Sequence, residues 1–294
     1  MAKSAGESLA AARVRSLFCG LPNQEHRVAL FIAASDEASD GTATGPFFYG
    51  GWVARERLWT KTFTPDWQRL VLDGPPKIDH LHMVDIKSPK WRAAHGITAD
   101  DHERRLDAAF DLLVAAGGIV PIVYSVDGGH FRKECADLKL VIPTAGGTAR
   151  KRFEPDYTCW LHYVLQVLHF IHGTRPDVEQ IDFVVERNGP ITKHIETFHG
   201  EIAGVLRAIK ADHLARLVGD IIPGGKDRVP LQAADLLCWH TQAARAGKLS
   251  QADAQRYARI SGRQGLLLEV TNDEITAFVK RAGNAVIVGG AEGV

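Results

Sequence analysis

Two apolar runs near the start, VALFIAAS (28–35) and PFFYGGWVA (46–54), constrain the fold more than any other feature of the chain. Each is of strand length and rich in β-branched and aromatic residues, and the Asp, Gly and Thr residues between them supply a short hairpin loop. Beyond this pair the rhythm changes, and strand-length apolar runs alternate with amphipathic helical segments. ADDHERRLDAAFDLLVAAGG sets Leu106, Ala109, Phe110, Leu113 and Val114 on one helical face, starts with acids, ends at a Gly pair and leads into the buried strand IVPIVYSV. YTCWLHYVLQVLHFIHG repeats Trp160, Leu161, Val164, Leu165, Leu168 and Ile171 at helical spacing, and IDFVVERNG after it reads as a strand ended by Asn-Gly-Pro. ITKHIETFHGEIAGVLRAI predicts a helix, HLARLVGDII a strand, and LQAADLLCWHTQAARAG a last helix entered at Pro230 and closed near Gly247. A hairpin succeeded by this alternation indicates an α/β fold, a mixed sheet with helices on it.

The remaining segments divide the chain. Residues 1–26 read as a polar N-terminal lead, helical around Leu9 to Leu17, residues 27–247 as one α/β domain, and residues 248–294 as a helical appendage with a loose tail. Within the domain, LWTKTFTPDWQRLVL predicts a helix and KIDHLHMVDI a loop or short strand, together a helical and loop insertion over about 55–100. DLKLVIPTAGGTARKRFEPD reads as an exposed loop with a basic tip at Arg150, Lys151 and Arg152.

Charge and cysteine usage exclude several classes of function. Lys plus Arg equals Asp plus Glu at 35 each, so no net field draws the whole molecule to nucleic acid or anionic lipid, and any polyanion site is local. Cys19, Cys135, Cys159 and Cys238 form no C-x-x-C pair, which argues against a zinc knuckle or a disulfide scaffold and for a reducing cytoplasm. No stretch reaches ~18 consecutive apolar residues and the start lacks the apolar core of a secretory leader, so neither membrane insertion nor export by that route is expected.

Two carboxylates interrupt the apolar runs. Glu186 follows Ile181, Phe183 and Val185 in alternation and therefore points to the opposite face of its strand. Asp235 shares one helical face with Gln232, Trp239 and Gln242, beside the apolar face of Leu231, Ala234, Cys238 and Thr241. An ionised carboxylate in such surroundings loses several kcal/mol of hydration unless a cation or a donor replaces the water. A third acid, Asp36, ends the first strand and is followed by Glu37. Acids from a first strand, a central strand and a last helix can converge, and three cannot all stay ionised unless cations hold them together. The expectation is a Mg²⁺ or Mn²⁺ centre on Asp36, Glu186 and Asp235 with Glu37 auxiliary, since these ions take oxygen ligands. Two of them about 4 Å apart would activate a water and steady the leaving oxygen in phosphodiester cleavage.

The structural alternatives are specific. Asp235 could bond a neighbouring backbone group or an Arg to fix its helix, Glu186 could form a rim salt bridge, and Asp36, Glu37 and Asp40 could serve hairpin-turn bonding.

LFIAASDEAS, FFYGGWVA, HLHMVD, FVVERNG and PLQAADLLCWHT, in that order over about residues 27–245, resemble the successive landmarks of the bacterial family known as domain of unknown function 3800. The resemblance implies a ribonuclease-H-like fold. It matches Asp36 to the family's strand-one Asp, Asp235 to the Asp of its closing helix and Glu186 to the acid of its middle strand. Here Ala38 and Ser39 follow Glu37 where Ser-Gly is commoner, and the middle acid is Glu rather than Asp.

Other groups complete the expectations. His80 and His82, two apart with Asp85 nearby, resemble part of a zinc site, and His82 could instead line a substrate cleft with Gln232. Arg150, Lys151 and Arg152 would suit phosphates. TAGGTARKR lacks the spacing of a P-loop, and no Ser sits in a G-x-S-x-G turn. The function expected is a metal-dependent phosphodiester hydrolase, a nuclease, with nucleic acid as substrate. The alternatives are a catalytically silent binding module for nucleic acid or protein and a zinc hydrolase.

Overall fold

A computed structural model describes residues 29–39, 45–144, 147–152, 154–187, 192–208, 210–261, 266–282 and 285–287. The polar lead, Asp40 and the last residues of the tail lie outside the described residues.

Strands β1 (Ala29–Ser39) and β2 (Pro46–Arg55) form the expected hairpin, antiparallel from Phe31 opposite Arg55 to Ser39 opposite Phe47. β1 runs four residues beyond the apolar stretch, so Asp36 and Glu37 are strand residues paired with Gly50 and Tyr49 rather than members of a turn.

The helical run over 56–72, α1, alternates α-helical pieces (Glu56–Leu58, Thr64–Trp67) with π turns (Trp59–Phe63, Gln68–Leu72). Its buried residues Trp59, Phe63, Trp67 and Val71 are spaced by four. In a pure α-helix each such step drifts by about 40°, which the wider i→i+5 turns take up, keeping the column on one face. Its three rings touch in sequence, Trp59 to Phe63 at 5.1 Å and Phe63 to Trp67 at 5.5 Å between centroids. Short helices α2 (Met83–Lys87) and α3 (Pro89–Ala94) come next. Then comes α4 (Ala99–Ala115), opened by a capping box between Thr98 and Asp101.

Arg105 on α4 is fully buried and donates to the carbonyls of Val71, Leu72, Gly74 and Pro76, the last two bonds coming from one terminal nitrogen. It thereby satisfies backbone acceptors that the end of α1 leaves open.

The chain continues through β3 (Val120–Asp127), α5 (Gly128–Glu134), β4 (Lys139–Thr144), β5 (Gly147–Arg152), α6 (Pro155–Thr174), β6 (Val178–Glu186) and α7 (Thr192–Ala208). Next are α8 (Asp212–Ala215), β7 (Val218–Gly224) and α9 (Val229–Arg245), and finally α10 (Gln251–Ser261), β8 (Leu266–Val270), α11 (Asn272–Ala282) and β9 (Ala285–Ile287). The helix expected around Leu231 to Gly247 closes where its sequence indicates, with Gly247 at φ +63° just past its end.

The main sheet has the order β7-β6-β1-β2-β3-β8. β1, β2 and β3 are antiparallel neighbours, while β6 runs parallel to β1, β7 to β6 and β8 to β3. Strand alternation sends Phe183 and Val185 into a core under α6 with Trp160 and Tyr163. Val184 goes to the other side, into a core with Trp52 and Phe110 beneath α9, α1 and α4. Burial on both faces explains why β6 reads as an almost unbroken apolar run.

Three sequence expectations change. The loop with the basic tip is instead the hairpin β4–β5, from Lys139 opposite Arg152 to Thr144 opposite Gly147, because LKLVIP is itself a β-branched run that finds partners. The segment after 248 is only partly helical: β8 joins the sheet edge on β3 and β9 pairs in parallel with β4. Such short runs become strands through their neighbours, which local pattern does not record. The stretch from His213 to Leu217, expected in a strand, includes the end of the turn α8, and only Val218 onward is β7. No helix among the described residues is long and apolar enough to cross a membrane.

Candidate functional site

α9 lies over β1 and β2, tied to the sheet by Trp52, whose indole N–H donates to the Ala233 carbonyl at 2.8 Å. At its other side Gln232 acts as a clamp. Its Oε1 accepts from the Trp67 indole N–H at 2.8 Å and the Leu81 N–H at 3.0 Å, and its Nε2 donates to the Lys226 carbonyl at 3.0 Å. One buried amide thus sets the height of α1, of the segment entering α2 and of the loop between β7 and α9. The spacing that suggested a cleft residue identified a positioning one, because the amide is spent on indole and backbone partners.

Around this clamp lies a small pocket lined by Leu81, His82, Glu186, Lys226, Gln232 and Asp235, with a volume of about 20 Å³. A cavity that size has room for one water molecule or one bare ion. Glu186 enters from the end of β6, whose backbone is pinned by Thr192 Oγ1 donating to the Glu186 carbonyl and Arg187 N–H donating to Gly224 O. Asp235 enters from the second turn of α9, and its Oδ2 accepts the Met83 N–H at 2.6 Å. The two acids that interrupt apolar runs in the sequence therefore meet.

Burial pushes the Asp235 carboxyl above its ordinary value of 3.8; His82, the Met83 N–H and Lys226 pull the other way, and Glu186 adds to the rise. The carboxylate is left short of positive partners.

Asp36 is placed by backbone register. Ser35 pairs with Val185 between β1 and β6, so one residue further along each strand stand Asp36 and Glu186. Of the expected acids, backbone register therefore brings position 36 level with Glu186 at the pocket.

His82 is held by Asp85: Nδ1 lies 3.0 Å from Asp85 Oδ2, and because a carboxylate only accepts, Nδ1 carries the proton. The Lys226 ammonium lies 3.3 Å from both ring nitrogens of His82. His80 Nε2 is 3.7 Å from the same Asp85 oxygen, so in the expected His80, His82 and Asp85 group His82 is bonded to the carboxylate and His80 stands near it. Among the described residues no group of three or more His, Cys, Asp or Glu is disposed to hold a metal. Arg150, Lys151 and Arg152 belong to β5, in the separate three-stranded sheet.

Sequence reasoning does not single out Lys226. Its signal is faint: a lysine after a Gly pair in PGGKDR, between a strand and the helix that carries an acid.

No family model matches this chain, and no curated protein or solved structure is detectably similar to it. The family resemblance rests on the sequence landmarks alone.

Proposed function

We propose that this chain is a metal-dependent phosphodiester hydrolase, a nuclease built on a ribonuclease-H-like sheet of the kind found in the domain of unknown function 3800 family. The observation that carries the reading is the meeting of Glu186 and Asp235 in one pocket beside the register position of Asp36. The strand order β3-β2-β1-β6-β7, with three antiparallel strands followed by parallel crossovers, supports the fold assignment.

Carboxylate oxygens suit Mg²⁺ or Mn²⁺, and the upward push on the Asp235 carboxyl is what a bound cation would relieve. Asp36, Glu186 and Asp235 would hold it, and when bound it supplies Lewis acidity and a more acidic water. The chain's own residues do the rest. The Met83 N–H holds Asp235 through Oδ2, the Gln232 clamp fixes the walls, and Asp85 orients His82, which lines the pocket. In the reaction a water oxygen bonds to phosphorus, the P–O bond to the leaving alkoxide breaks, and a proton of that water ends on the alkoxide oxygen.

The test is calorimetric titration of Mn²⁺ into the wild type and Asp235→Asn, followed by cleavage assays on DNA and RNA. Binding and cleavage in the wild type, both lost in the variant, are the expected result; uptake that is equal in both proteins removes the assigned site.

A second reading, a catalytically silent binding module, draws on one observation: Asp235 already accepts a backbone N–H and lies within the influence of His82 and Lys226. Absence of Mn²⁺ uptake by the wild type would favour it.

A further inference from the structure

We propose that the open pocket between β3, the last turns of α9 and α10 is a second binding site, one that takes a small organic acid with a single carboxylate and a compact apolar body. The inference does not rest on the hydrolase reading.

The sequence puts a serine where the core calls for an apolar side chain. Val123 and Ser125 share one face of β3, and Val123 belongs to the core beneath α9. Ser125 is only 7% exposed, yet its hydroxyl hydrogen has no acceptor among the described residues. A buried hydroxyl in that state costs free energy that a ligand oxygen can restore. On the facing helix, Thr241 and Arg245 stand four apart on one side of α9, with the short side chain of Ala244 next to them. From α10 comes Tyr257, whose hydroxyl donates to Thr241 Oγ1 at 3.1 Å, while Thr241 donates to the Leu237 carbonyl at 2.8 Å. The pocket these residues line measures about 240 Å³. That is the scale of a small molecule, at the lower end of ligand pockets, which run from roughly 300 Å³ upward.

The hydrogens of Tyr257 and Thr241 are committed within the protein, so the groups left to grip a ligand are Ser125 and Arg245. Arg245 NH2 lies 2.5 Å from Glu269 Oε2 and 3.5 Å from Ser125 Oγ, the second distance being at the limit of a hydrogen bond. Its Nε and NH1 have no acceptor among the described residues. A guanidinium engaged through one nitrogen of three, beside a hydroxyl that lacks an acceptor, calls for a group that only accepts and can take two donors at once. A carboxylate is that group. Glu269 and the carbonyl end of α9 both work against Arg245, so the site favours a single negative charge over a dianion such as phosphate. Val123, Ala244 and the Tyr257 ring offer apolar wall to the rest of the acid. Ten residues of α9, about 15 Å, separate Arg245 from Asp235, so a ligand of this size cannot touch both pockets.

The experiment is a methyl NMR titration of the full chain, labelled at alanine and valine, with benzoate and with benzamide, its neutral isostere. Benzoate should give saturable shifts centred on Val123 and Ala244, and benzamide should bind about tenfold or more weakly, as loss of a charge-assisted hydrogen bond requires. Arg245→Met should weaken benzoate to the same extent, Glu269→Gln should tighten it, and Ala244→Leu should abolish binding by filling the pocket. The methyl spectra of the variants show directly whether each keeps the fold. Absence of saturation up to about 20 mM benzoate, weaker than a small ligand gripped by charge should bind, overturns the inference. So do shifts centred elsewhere, equal affinity for benzoate and benzamide, or unchanged benzoate affinity in a folded Arg245→Met.

Discussion

Asp235, half-buried on helix α9, and Asp253, buried beside that helix, are two carboxylates whose surroundings push them in opposite directions. At Asp253, only 3% exposed, burial raises the carboxyl, but the facing His240, Lys87 and Ser250 outweigh it and hold the group well below 3.8. Lys87 Nζ donates to it at 2.6 Å, Ser250 Oγ at 2.8 Å and Arg256 NH1 at 3.2 Å. Arg256 in turn reaches Glu103 at 2.5 Å and Asp107 at 2.7 Å on α4. The cluster ties α10 to α2, α4 and α9, and every charge in it has an opposite within reach. Asp235 has one backbone donor at 2.6 Å and cations whose effect does not offset burial. A buried acid with complete compensation holds a fold together, whereas one with incomplete compensation is prepared for something that arrives later.

The contrast is tested most severely at Asp253. Asp253→Ala strands Lys87 and leaves Arg256 NH1 without its acceptor, and should cost about 3–5 kcal/mol in urea unfolding at neutral pH, the range for breaking a buried ion pair. A loss below about 1 kcal/mol would mean that the cluster is no more than a surface network. Arg105 extends the point to the other sign, since it is a buried cation whose two terminal nitrogens donate to carbonyls alone. Arg105→Met leaves those carbonyls without their donor and should cost about 2–3 kcal/mol by the same measurement.

Acid titration of stability separates the two aspartates more finely. The folded-state value of Asp253 is depressed, so its contribution is present above about pH 4 and is lost as pH falls through the lower folded value; the penalty of Asp253→Ala should shrink in acid. Asp235 has a raised value and binds more protons folded than unfolded, so ionising it weakens the fold as pH rises from about 4. Asp235→Asn removes that loss and, without metal, should be the more stable protein at neutral pH, the gap closing below about pH 4. Equal pH profiles for Asp235→Asn and wild type would mean that Asp235 ionises alike folded and unfolded, and would remove its side of the contrast. The smallest effect belongs to the exposed pair of Arg245 and Glu269, 2.5 Å apart with side chains 48% and 52% exposed. Arg245→Ala should shift stability by less than about 1 kcal/mol, setting the floor beneath the other changes.

Much of this contrast is legible in the chain. The hairpin, the helix over 99–115, the strand ending at Glu186 and the helix carrying Asp235 follow from periods of two and 3.6 set by burial on one face, and the structure has each of them. Where pairing or packing decides, pattern is silent. β4, β5 and β8 owe their state to neighbours across the sheet, and the π turns of α1 exist to keep Trp59, Phe63 and Trp67 aligned. The same holds at the pocket. Acids announce themselves because they break an apolar run; Lys226 sits in a polar loop where a lysine is unremarked, and the Gln232 clamp depends on indoles and backbone brought in from far along the chain.

The pairing of β1 with β6 joins Ala29 to Val178. On a ribosome, β1, β2 and β3 emerge first and can zip together, but the outer edge of β1 waits about 150 residues for its partner, which at about 5–20 residues per second is roughly 8–30 s. Throughout that interval an apolar strand edge stands open to any other extended chain. The newborn protein therefore depends on whatever shields that edge, and its yield in a cell should track chaperone supply more closely than its final stability.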